Sequence, residues 1–327
     1  MRGRERGRLT GWGIVVVAVA VAALAVTGPI LRAASVQAQG APPAEWRTIE
    51  RTMGLPGVVE PGPVLKFNIP RGDLQVVVQG TPVHPAFALE GFAAFAPADG
   101  ATMVSGELAL TELEVDAVMM ALQQGGLEQT ALHKHMIWDS PDTMFMHFSG
   151  RGDAVRLAET LRAALALTGT DVPPPALGQP PLGLDTAQLD AIIGHKGFAD
   201  SGIYKFHIPR AEPFMVDGMR VPPTVGAETM IHFQPTGPGQ AAVTGDFAMT
   251  PLEVNNVIRA LRTNGIQVAT VHNHMLTEEP HLIFLHFVAN NDALRLAQGL
   301  RAALDQTNAA RDPTAPPPLP LDAAIAR

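Results

Sequence analysis

The feature that most limits how this chain can fold is that it is written twice. Lys66-Phe67-Asn68-Ile69-Pro70-Arg71 recurs as Lys205-Phe206-His207-Ile208-Pro209-Arg210. Thr111-Glu112-Leu113-Glu114-Val115 recurs as Thr250-Pro251-Leu252-Glu253-Val254, and His133-Lys134-His135-Met136 as His272-Asn273-His274-Met275. His147-Phe148 returns as His286-Phe287, and Arg156-Leu157-Ala158 as Arg295-Leu296-Ala297, the offset staying at 138 to 140 residues throughout. Solenoids and propellers repeat every 20 to 50 residues or so. A period this long implies two domain-sized units, each with its own core, forming an internal pseudo-dimer. The boundaries expected are a first repeat over 45–169, a linker over 170–186, a second repeat over 187–307 and a Pro-rich disordered tail over 308–327. The linker assignment rests on Pro173-Pro174-Pro175 and Pro180-Pro181, which resist regular structure.

Within a copy, Leu74 to Gln79 and Glu90 to Ala96 alternate as strands do. Thr111 and Thr250 stand three residues before Glu114 and Glu253, the spacing of a capping box, and Gly125 and Gly265 stand where the helices should stop. A second helix should start near Asp153 and Asp292, with Val155, Leu157, Ala158, Leu161 and Leu165 forming one apolar stripe. Each copy reads as α+β, a mainly antiparallel sheet with two covering helices.

Arg2, Arg4, Arg6 and Arg8 precede an uncharged stretch from Leu9 to Leu31, and Val36-Gln37-Ala38 offers small residues at the positions a signal peptidase reads. Residues 1–38 are therefore expected to be a signal peptide, and the remainder to be periplasmic or extracellular in the cell envelope, with no stable membrane span after cleavage. Retention of the same stretch as an anchor is the alternative. With no cysteine in 327 residues, any metal must be held by nitrogen and oxygen. A formal charge of −8 with no basic run after the N-terminus argues against nucleic acid as a partner.

Six of the eleven histidines form two equivalent triads, His133, His135, His147 and His272, His274, His286. Gln129 to Ile137 and Gln267 to Leu276 read as strands, so each His-x-His pair projects from one face. Pro141 lies midway between His135 and His147, and Pro280 midway between His274 and His286. A regular hairpin about these prolines would put the third histidine directly opposite the second. Three histidines with an open fourth position suit catalytic zinc, and also copper, iron or nickel. The alternative is polar residues bonded to their neighbours on a half-buried strand.

Glu107 and Asp246 each follow a glycine in an apolar strand and are the candidate proton carriers, or a fourth ligand, or residues on a wet strand face. Glu90 and Glu228 face the same choice. Glu114 and Glu253 are read as capping residues, and Arg71 and Arg210 as members of surface ion pairs. His84, His195, His207, His232 and His281 have no histidine counterpart in the other copy and are read as incidental. No Gly-rich phosphate loop, Gly-x-Ser-x-Gly elbow or His-Glu-x-x-His helix occurs.

The repeated Lys-Phe-x-Ile-Pro-Arg, the Thr-x-Leu-Glu-Val helix start and the His-x-His-Met hairpin closing on His-Phe resemble the LppY/LpqO family, an exported family with a domain of unknown function. The resemblance runs from Trp46 to Gly169 and from Ala187 to Thr307. It implies domain identity and export but no reaction, and the lipoprotein anchor of the best-known members has no cysteine to carry it here. A fainter similarity is to the α-acetolactate decarboxylase type of fold, where a His-x-His pair and a later histidine bind zinc. It implies zinc on His272, His274 and His286 and on their equivalents in the first copy. The functions expected are a zinc-dependent hydrolase or lyase acting on a small molecule, or a non-catalytic envelope protein that binds metal, a small ligand or cell-wall material.

Overall fold

Antiparallel pairing dominates both repeats. The structure is a computed structural model that describes residues 44–174 and 176–315; the expected signal peptide and residues 316–327 lie outside the described residues. In the first repeat the strands are β1 (Val58–Glu60), β2 (Val64–Pro70), β3 (Glu90–Ala98), β4 (Ala101–Thr111), β5 (Glu128–His133) and β6 (Thr143–Gly152), forming one sheet in the order β1-β2-β3-β4-β6-β5. The second repeat builds the same sheet from β7 (Phe198–Asp200), β8 (Ile203–Ile208), β9 (Thr229–Gly237), β10 (Gln240–Met249), β11 (Gln267–His272) and β12 (Ile283–Asp292), in the order β7-β8-β9-β10-β12-β11.

Three helices rather than two cover each sheet: α1 (Ala44–Met53), α2 (Val115–Gln124) and α3 (Ala154–Leu165) on the first, α4 (Thr186–Ile193), α5 (Val254–Thr263) and α6 (Ala293–Leu304) on the second. Asp153 and Asp292 cap α3 and α6, each accepting from the backbone N–H three residues on. Leu157, Ala158, Leu161 and Leu165 then face a core with Phe67, Phe95, Leu108 and Phe148, and the second repeat builds a matching core around Phe206, Phe233, Phe247 and Phe287.

Strand alternation leaves each sheet a second face, and the two second faces meet. Phe92 packs with Phe214 and Phe284 in one shared cluster, and Phe87 and Met136 with Ile203 and Val288 in another. The order of layers is therefore helix, sheet, sheet, helix, and the described residues form a single compact unit. Val172 packs on the first core and Leu182 and Leu184 on the second, so the Pro-rich connection lies against both. At the start of the expected tail, Asn308 accepts from the Ala211 N–H at 2.9 Å and Asp312 from the Lys196 N–H at 2.9 Å, which ties this stretch to the second repeat.

Several local expectations are corrected. Only Val77–Val78 of Leu74 to Gln79 is a strand; it pairs with Thr81–Pro82 and with Asp139–Ser140, which draws the chain away from the main sheet and ends β5 at His133 rather than Ile137. β11 likewise ends at His272 rather than Leu276. The Thr111 and Thr250 side chains do not cap α2 and α5; instead Glu114 and Glu253 turn back onto the Thr111 and Thr250 N–H groups at 2.7 Å. Those carboxylates also hold Arg71 and Arg210, which are buried and not surface residues. Arg71 bonds Glu114 at 2.8 and 3.1 Å, Asp73 at 2.8 Å and the Ala109 carbonyl at 2.7 Å, with a matching set at Arg210. A guanidinium fits such a site because its planar fork satisfies several acceptors at once.

Candidate metal centre

The site is set by register. β4 and β6 pair with Glu107 opposite His147, and β10 and β12 pair with Asp246 opposite His286. Partners in a pair share a face, so each carboxylate and histidine point together toward the other repeat. β5 places His133 opposite Phe145 and Ala131 opposite His147, after a bulge between Gln129 and Ala131. The regular hairpin expected about Pro141 is thus incorrect. His135 lies beyond the end of β5 and reaches the cluster from the loop, stacked on Phe145 with ring centres 3.3 Å apart. The second repeat does the same, with His272 opposite Phe284 and His274 stacked on Phe284 at 3.4 Å.

Glycine precedes each carboxylate because the neighbouring strand comes too close for a side chain. A Cβ on Gly106 would stand 2.1 Å from the Phe92 carbonyl oxygen, and one on Gly245 1.9 Å from that of Met230. Gly245 also has φ of 148°, a conformation that favours glycine.

All eight candidate site residues come together in one buried cluster between the sheets. His133 faces His272 with ring centres 3.5 Å apart, His135 faces His286 at 3.9 Å, and His147 faces His274 at 4.1 Å. Glu107 Oε2 lies 3.1 Å from the Nε2 atoms of both His135 and His147, and Asp246 Oδ2 lies 3.4 Å from His274 Nε2. Spacing in one copy could not show this meeting of the two triads.

Backbone carbonyls fix the tautomers. His133 Nδ1 donates to Lys134 O at 3.2 Å, His274 Nδ1 to Gly226 O at 3.0 Å, and His286 Nδ1 to Gly245 O at 2.9 Å. A carbonyl oxygen only accepts, so Nδ1 carries the hydrogen and Nε2 presents a lone pair, which is the form that ligates a metal. The Nε2 atoms of His274 and His286 and both ring nitrogens of His272 are buried without a hydrogen-bond partner. A buried polar atom without a partner costs about 1–3 kcal/mol, and this donor set is one that could hold a cation. Glu107, His133, His135 and His147 have ligand atoms within 4.8 Å of one another, as do His133, His272 and His286, and His147, His272 and His274.

Electrostatics agree. Burial, reinforced by His135 and His147, pulls His133 down to about 2. Burial also lowers His272, His274 and His286, keeping these rings neutral, and lowers His135 against the opposing pull of the Glu107 carboxylate. Burial opposes ionisation of Glu107, but His135 and His147 outweigh it and hold the carboxyl well below its ordinary range. Burial, then the charge of Glu107, pushes Asp246 well above the usual range.

A cavity of about 470 Å³ opens beside the cluster, with Glu107, His135, Asp246 and His286 among its lining. Its walls include Lys66, Glu90, Lys205, His207, Glu228 and His232, drawn from both repeats. Lys205 is held by Glu90 at 2.9 Å and Asp200 at 2.7 Å, whereas the Lys66 ammonium lies over the Phe92 ring, 4.7 Å from its centre. His232 donates from Nδ1 to Phe87 O at 2.8 Å, and burial lowers it to about 3. His207 and His232, read as incidental, therefore belong to the cavity wall. The signal that could have found the lysines is the alternation in Lys-Phe-x-Ile-Pro-Arg: with Phe67 and Ile69 in the core, Lys66 and Asn68 must face the other sheet.

Among the described residues no helix is long and apolar enough to cross a membrane. No protein of curated function matches the sequence. Two solved structures show slight likeness: EtuB from Clostridium kluyveri, at 12% identity and a TM-score of 0.23 over 77% of this chain and 90% of that one; and the trimeric bacterial microcompartment shell protein PduB, at 15% identity and a TM-score of 0.20 over 79% of this chain and 97% of that one. Nothing about activity carries over from either. The family model described as Domain of Unknown Function (DUF1259) matches over residues 47–167 and again over 187–306, and the chain belongs to that family as a tandem pair.

Proposed function

We propose that this chain is an exported, metal-dependent hydrolase or lyase of the cell envelope, acting on a small molecule admitted by the cavity between its repeats. The observation that carries the metal assignment is the set of backbone carbonyls that lock Nδ1–H on His133, His274 and His286 and turn their Nε2 lone pairs inward. His133, His135, His147, His272, His274 and His286 would hold the ion, for which Zn²⁺ is the proposed identity because nitrogen and carboxylate donors without thiolate suit it. When bound, such an ion polarises a carbonyl as a Lewis acid. Glu107 Oε2 would accept a proton and Asp246 would supply one, a reading supported by their place in the cavity lining and by the lowering of the first carboxyl and the raising of the second. Export and the LppY/LpqO identity rest on the Arg-rich start, the apolar stretch and the shared motifs.

The test is elemental analysis of protein lacking residues 1–38, purified without chelator or affinity tag, beside a His272→Ala, His274→Ala variant. Near-stoichiometric metal, lost or halved in the variant, is expected. Protein that stays metal-free after equilibration with Zn²⁺ refutes the assignment. A second reading, non-catalytic capture of metal, is favoured by the presence of six histidines where one catalytic ion needs three. Metal-loaded protein that turns over none of a panel of esters and keto acids would favour it.

A further inference from the structure

We propose that the cluster holds two divalent first-row ions side by side, one in each repeat's triad, about 4 Å apart, a separation typical of two-metal sites. The proposal rests on the metal reading above and adds the number and arrangement of the ions. An imidazole nitrogen lies about 2.0–2.1 Å from zinc, which places the ring centre roughly 3.2 Å away and the centres of two tetrahedral co-ligands roughly 5 Å apart. His133 and His272 each meet that requirement with the two other rings of their triad: His133 is 5.2 Å from His135 and 5.0 Å from His147, and His272 is 5.0 Å from His274 and 4.8 Å from His286.

Between the triads the geometry differs in kind. His133 and His272, His135 and His286, and His147 and His274 lie face to face at 3.5, 3.9 and 4.1 Å, with interplanar angles of 23 to 28°. A lone pair lies in the plane of its ring, and the planes of rings stacked this closely do not meet within the roughly 3.2 Å that separates a ring centre from its metal. The mixed sets within reach of a single ion each contain such a stacked pair, His133 with His272 in one and His147 with His274 in the other. The set of Glu107, His133, His135 and His147 contains none. Three stacked pairs thus make two layers of three histidines, separated by the thickness of an aromatic stack, with Glu107 beside one layer and Asp246 beside the other. Both carboxylates, together with His135 and His286, also line the cavity, so a ligand entering there would meet both ions at once.

The chain from Gln39, whose described residues form one compact unit, is stripped of metal and titrated with Mn²⁺, with bound ion counted by elemental analysis and spin coupling read by electron paramagnetic resonance. The expected result is two ions per chain with an exchange-coupled signal. His272→Ala with His274→Ala, and separately His133→Ala with His135→Ala, should each leave one ion with an uncoupled six-line spectrum, circular dichroism verifying the fold. One ion per wild-type chain, or two without coupling, overturns the paired arrangement while leaving the metal site standing. No bound ion with Mn²⁺ or Zn²⁺ overturns both.

Discussion

Metal-free protein should lose stability steeply as pH falls from 7.5 to 5.5, and the histidine cluster sets the size of the effect. His133, His272, His274 and His286 are held neutral, their protonation lowered by burial. In the unfolded chain a histidine titrates near 6.5, so below that pH the unfolded state binds protons that the folded state refuses. Stability is thus fully present above 6.5 and drains away as pH falls toward the depressed folded values. Linkage gives about 1.4 kcal/mol per histidine by pH 5.5, or about 6 kcal/mol for these four. Asp246 works the other way: its raised carboxyl stays protonated in the folded state, and over two pH units this returns at most about 3 kcal/mol. His207 and His232, also lowered by burial, add to the loss. Burial also raises Glu90 and Glu228, which offsets what His207 and His232 add, so the net fall should be about 3 kcal/mol, a large share of the 5–15 kcal/mol typical of a folded domain. Urea unfolding of chelator-treated protein at the two pH values measures it. A fall below about 1 kcal/mol, or a gain, would mean that the rings are not held neutral by burial.

Glu107→Gln keeps the side-chain volume but removes the charge beside His135 and His147, so metal affinity measured by competition with a chromogenic chelator should drop about 10–100-fold; an unchanged affinity would remove Glu107 from the centre. Gly245→Ala drives a Cβ into the Met230 carbonyl and should cost at least about 2 kcal/mol in urea unfolding. Gly152→Ala, with nothing within 4 Å of the added atom, is its control and should change stability by less than about 0.5 kcal/mol. Arg71→Met strands the Glu114 and Asp73 carboxylates, and Arg210→Met the Glu253 and Glu212 pair. Each should destabilise by about 3–5 kcal/mol at pH 7, because breaking a buried pair leaves its partner uncompensated.

The two-domain plan and α+β class were legible because duplication is written directly in residue identity, and the Asp153 and Asp292 caps because capping is a local rule. What escaped was what depends on the partner sheet. The bulge between Gln129 and Ala131 and the departure of Asp139–Ser140 toward Val77–Val78 are tertiary choices, so the count from His135 through Pro141 to His147 proposed the right neighbours by the wrong register. The third helix of each repeat went unread because Ala44–Met53 and Thr186–Ile193 share no obvious motif across the copies. Arg71 looked like a surface residue since nothing local reveals that Glu114, 43 positions on, folds back over it.

The two copies also differ in an informative way. At the cluster they are identical in kind: His133 and His272, His135 and His274, and His147 and His286 match, and Glu107 matches Asp246 as a carboxylate. Around the cavity they diverge. Asn68 corresponds to His207, Phe92 to Met230 and Ala94 to His232, and Lys205 is neutralised by two carboxylates while Lys66 rests on an aromatic ring. A shared cluster buried between two sheets requires both copies to supply matching ligands, since either sheet alone would leave its histidines open to water on one side. The cavity wall is under no such demand. Under the proposed function, its lack of twofold symmetry would suit recognition of an asymmetric small molecule, with duplication keeping the centre symmetric and leaving the wall free to differ.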